Sequence, residues 1–77
     1  MNDTGAKILE ALFSIFDGEE KKAQANLTNY LNNAAGIGEH PELDKAIDSQ
    51  IMIIAEHEDK LSTVKRLLQE WAIELSK

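Results

Sequence analysis

Apolar residues in this 77-residue chain recur at spacings of three and four, the signature of one face of an α-helix. No stretch alternates with the period of two that a half-buried strand needs. Glycines at 5, 18, 36 and 38 and the single proline at 41 divide the chain into three periodic segments. The pattern predicts an all-α fold with helices over about residues 4–16, 18–35 and 41–75.

The third segment carries the clearest periodicity. Ile47, Ile54, Leu61, Leu68 and Leu75 occupy one heptad position, and Leu43, Gln50, His57, Val64 and Trp71 the other. Eight of these ten are apolar, a coiled-coil-like seam. Ile51, Ile53 and Leu67 lie beside the seam and widen it, while Met52 and Ile73 fall on the far side. Pro41 suits the first turn of such a helix, where its missing N–H has no partner to lose.

The first segment opens on Asn2, Asp3 and Thr4, all N-cap residues. Ile8, Leu9, Leu12, Phe13, Ile15 and Phe16 follow and cover more than half of the helix circumference, wider than one core stripe requires. Asp17-Gly18-Glu19-Glu20 has the look of a capping box, with Asp17 accepting from the third amide and Glu20 reaching back. One kinked helix through Gly18 is the alternative, and the capping residues favour a break. The second segment would present Ala23, Leu27, Tyr30, Leu31 and Ala34 on one line. It would end at Gly36 in a left-handed cap, with Ile37 folding back on Leu31.

Length adds an argument about shape. The third helix alone would span roughly 50 Å. A compact chain of this size has a radius of gyration of only about 11–12 Å. The first two helices, laid end to end, would reach roughly 40 Å and could run antiparallel along the third. A helical hairpin of this kind still leaves wide apolar faces open. Two hairpins would close them as a four-helix-bundle-like homodimer. Leu9, Leu12, Phe13 and Phe16 join the ten seam positions of the long helix as expected core or oligomer-interface residues.

Charge narrows the partners. The net charge is −6, and no run of Lys or Arg exceeds two residues. Phosphate neutralisation needs a basic face, so nucleic acid and anionic membrane are not expected partners. Another protein is possible. Residues 39–59 carry seven acids and one lysine, net −6, whereas residues 60–77 carry four basic residues and two acids, net +2. This complements the helix dipole and would also suit antiparallel pairing of two long helices.

No chemistry-bearing constellation stands out. The chain has no cysteine, which excludes disulfides and thiolate metal sites and suits a reducing cytoplasm. Residues 8–16 are too short for a membrane span and carry Glu10, so no targeting segment is expected. The serines lie in no nucleophile motif, and Gly36-Ile37-Gly38 is no phosphate loop. Glu39, His40 and Glu42, or Glu56, His57, Glu58 and Asp59, could be read as metal ligands. Helical neighbours diverge, however, and no Glu-x-x-His pattern precedes either histidine. The expectation is a cytoplasmic, non-enzymatic protein with no cofactor and no metal. His57 and Gln50 are polar residues within an apolar seam. His57 is read either as a pH switch or as a tolerated histidine bonding across to Tyr30 or an Asn. A polar seam residue commonly fixes register.

The stretch Gly36-Ile37-Gly38-Glu39-His40-Pro41-Glu42-Leu43, followed by Ala46-Ile47-Asp48 and Ile54-Ala55-Glu56, resembles short uncharacterised proteins of tailed marine phages. The resemblance covers about a third of the chain. It implies a phage or environmental origin, with host cytoplasm as the location, and no particular activity.

Overall fold

The computed structural model describes residues 2–33 and 41–75, the side chains of the second helix being described from 42 to 70. Both elements are α-helices: α1 is Asp3–Asn33 and α2 is Pro41–Leu75. They pack antiparallel along their length as a rod of 59 × 15 × 14 Å. The radius of gyration is 17.4 Å, far above that of a compact chain of this length.

α1 starts where its cap places it. Asn2 Oδ1 accepts from the Gly5 amide at 2.8 Å, and the Asn2 carbonyl from the Ala6 amide at 3.1 Å. The Gly5 amide, an orphan donor of the first turn, is thereby satisfied, and the Ala6 bond is the first of the intrahelical ladder.

The chain does not break at Gly18, so the described residues form two helices where the sequence pattern gives three. Asp17 does not cap a new helix. Its carboxylate takes the Lys21 ammonium at 2.8 Å, and Glu20 accepts from Gln24 at 3.0 Å. Both are i,i+4 bonds within a continuing helix. Gly18 is exposed, with nothing within 4 Å of where a Cβ would sit. No close approach requires a glycine there, and its helical penalty is only about 0.5–1 kcal/mol. Packing on either side outweighs it. Leu9, Phe13, Phe16, Glu20, Ala23, Leu27 and Tyr30 form one four-three row, every member buried or half-buried. A break at Gly18 would throw the two halves of that row out of phase.

On α2 the inward row is Leu43, Ile47, Gln50, Ile54, His57, Leu61, Val64 and Leu68, again all half-buried or buried. A second row, Ala46, Ile53, Lys60 and Leu67, is half-buried as well, whereas Ile51, Glu58 and Lys65 on the opposite flank are exposed. Ile53 and Leu67 therefore widen the seam as expected, and Ile51 does not. The interior is thin. Among the described residues only Ala23 and Val64 are buried, at 2% and 5% exposure. The expected turn at Gly36 to His40, the fold-back of Ile37, and the side chains of Trp71, Ile73 and Leu75 lie outside the described residues.

Candidate interaction surface

Three layers fix how the helices meet. Near the connection, Asn26 Nδ2 donates to Gln50 Oε1 at 3.5 Å, the outer limit of such a bond. Ala23 sits beside this pair and lets the helices approach, with Glu19, Lys22 and Ile53 lining the same shallow groove. Gln50 thus faces a polar side chain of α1, as a residue that selects one register would.

The middle layer holds His57, Phe16 and Lys60. His57 Nδ1 donates to the Ile53 carbonyl at 2.8 Å, one turn back on its own helix. The ring meets Phe16 edge-on, centroids 6.0 Å apart at 70°, a favourable aromatic geometry. Lys60 Nζ lies 5.1 Å from the centre of the Phe16 ring, within cation–π range. The partner of His57 is therefore a backbone carbonyl, not Tyr30 or an Asn across the seam. Lys60 also lies 3.5 Å from Glu56.

At the open end, where α1 begins and α2 finishes, Phe13 and Leu68 form the floor of an open groove. Glu10, Ser14, Lys65 and Gln69 rim it. Leu9, Leu12, Phe13 and Phe16, expected as core or interface, are all half-buried within the single chain.

Two residues of the broad apolar face of α1, not among the expected core or interface positions, stand out here. Ile8 and Ile15 are 56% and 57% exposed. They lie one heptad apart, with Leu12 between them, about a quarter-turn from the seam of α1. The signal was present in the breadth of the apolar face over residues 8–16, which one neighbour helix could not cover. Ile51 and Met52 are also open, at 50% and 64%.

Charged groups add little that is localised. The ion pairs Asp17–Lys21, Glu56–Lys60 and Glu70–Arg66 each join residues four apart on one helix, and no pair crosses between helices among the described residues. The hydrogen bond that Lys21 donates to Asp17, with the negative charge of that carboxylate, raises the Lys21 pKa above its ordinary 10.5. No three His, Asp or Glu side chains among the described residues converge on a metal-sized site. No described helix is long and apolar enough to cross a membrane.

Comparisons with protein-family models, with curated proteins and with solved structures give no match. The surface itself is therefore what bears on function.

Proposed function

We propose that this chain is a non-enzymatic protein–protein interaction module that works as a homodimer, two hairpins closing into a four-helix-bundle-like assembly. The observation that carries the reading is area. The chain exposes 5756 Å². A compact monomer of 8.6 kDa exposes about 4,700 Å². The excess is about 1,000 Å², somewhat more than the roughly 800 Å² each partner gives up in a standard interface. The thin interior supports the same reading, since two buried residues among those described are a slender basis for independent stability.

Light scattering coupled to size exclusion tests it. The expected mass at micromolar concentration is about twice the 8.6 kDa of the chain, and a monomer at that concentration overturns the reading.

A second reading is an accessory factor, of phage origin, that binds a different protein through the exposed stripe of α1. Ile8 and Ile15 favour it as much as a dimer. It differs in leaving the purified chain monomeric. Its probes are Ile8→Glu and Ile15→Glu, at positions 56% and 57% exposed.

A further inference from the structure

The hairpin has two unlike faces beside its seam. On α1, Ile8, Leu12, Ile15, Glu19, Lys22 and Asn26 follow one another in four-three steps and so share one side of the helix. On α2, Ala46, Ile53, Lys60 and Leu67 share one side at intervals of seven. The groove that joins Glu19, Lys22 and Asn26 to Ile53 brings the two rows together as one face. Toward the open end this face carries Ile8, Leu12, Ile15 and Leu67, with the half-buried Lys60 at its inner limit. Toward the connection α1 presents the polar Glu19, Lys22 and Asn26 beside Ala46 and Ile53 of α2. Ile51 lies on the opposite flank of α2, and Met52 points away from α1.

Charge divides along the same line. Residues 1–16 carry two acids and one lysine, and residues 60–77 carry four basic residues and two acids, so the open half is +1. Residues 17–59 carry ten acids and three lysines, net −7. Stacking two hairpins in parallel over their whole length would set −7 against −7 within about one Debye length, roughly 8 Å at physiological salt, and stacking them antiparallel over their whole length would set −7 against +1 but put Ile8 and Ile15 opposite the polar Lys22 and Asn26 end of the partner. Overlapping them only by their open halves sets +1 against +1 and holds the acidic halves apart.

We infer that a second copy of this chain docks on the open half of this face, head to head, with the dyad passing near Leu12. The contact is isologous: Ile8 of one protomer meets Ile15 of its partner, and the reverse. This inference rests on the homodimer reading and adds its surface and orientation. The occupant is a second copy because the patch is self-complementary under that dyad. The missing burial also has the size of one partner's share of an interface.

The test compares dimer dissociation constants by sedimentation, with helicity followed by circular dichroism. Each substituted isoleucine appears twice in the dimer. Ile8→Glu and Ile15→Glu should therefore each weaken it by about a hundredfold or more while helicity is retained. Met52→Glu and Ile51→Glu should leave it unchanged. Leu12→Cys, in a chain that otherwise lacks cysteine, should oxidise to a covalent dimer, and Met52→Cys should not.

A wild-type monomer would overturn the homodimer reading itself. A wild-type dimer indifferent to Ile8→Glu and Ile15→Glu, or broken equally by Met52→Glu, would overturn this face alone. Sensitivity to Ile15→Glu without the Leu12 crosslink would overturn the dyad.

Discussion

The two halves of the hairpin share one means of holding together and differ in a second. In the open half, Phe13, Phe16, Leu61, Val64 and Leu68 bring large apolar groups to the seam, and at its inner limit Phe16 and His57 form a T-shaped ring pair. In the half near the connection, Leu27, Leu43, Ile47 and Ile54 are also half-buried at the seam, Ala23 draws the helices close, and a polar pair crosses between them, Asn26 with Gln50 at 3.5 Å. Both halves supply burial, which is strong and tolerant of sliding. The second adds a polar match, which is weak and specific for one alignment. Choice of register is thus concentrated in one half of the rod.

The sharpest way to break this division is Val64→Asp. A carboxylate placed at a 5%-exposed position should cost about 3 kcal/mol or more. Circular dichroism would then show the hairpin largely unfolded at 25 °C. A cooperative melt close to wild type would mean that the open half does not provide the burial. Leu61→Ala follows at about 2 kcal/mol, the low end for such truncations because Leu61 is only half-buried.

Gly18→Ala tests the joint between the halves. With open space around the Cβ position, it should stabilise by about 0.5–1 kcal/mol. A loss instead would show that a true hinge sits there. Gln50→Leu should change stability by less than about 1 kcal/mol, because the bond it removes is long and exposed. Its effect should appear as amide resonance doubling from slipped registers.

The smallest effect is expected at Asp17. Lys21 has its pKa raised by Asp17, so this pair contributes below about pH 10.5 and its contribution fades as pH rises through the folded value. Asp17→Asn should flatten that alkaline slope in melts taken from pH 8 to 12 and leave neutral stability almost untouched.

How legible this was in the sequence follows from the same contrast. α2 could be read directly because Ile47, Ile54, Leu61 and Leu68 repeat one residue class at one heptad position. α1 could not, because Glu20 interrupts its row and Asp17-Gly18-Glu19-Glu20 imitates a helix start. The phase of Phe16 with Ala23 across that motif was the overriding signal, and local capping chemistry competed with it. The bond of His57 was hidden for another reason: its acceptor is a backbone carbonyl, which carries no sequence mark. The exposed stripe of Ile8 and Ile15 was visible as excess apolar breadth. Only the placement of α2 decided which part of that breadth stays open.

The slender shape has a consequence for spectroscopy. Amide N–H vectors in both helices lie close to the 59 Å axis, so they report mainly end-over-end rotation. Transverse relaxation should be uniformly fast along α1 and α2. Any local bending at Gly18 would therefore register as a dip against a flat baseline, giving that one glycine a dynamic readout that a globular protein of equal mass would blur.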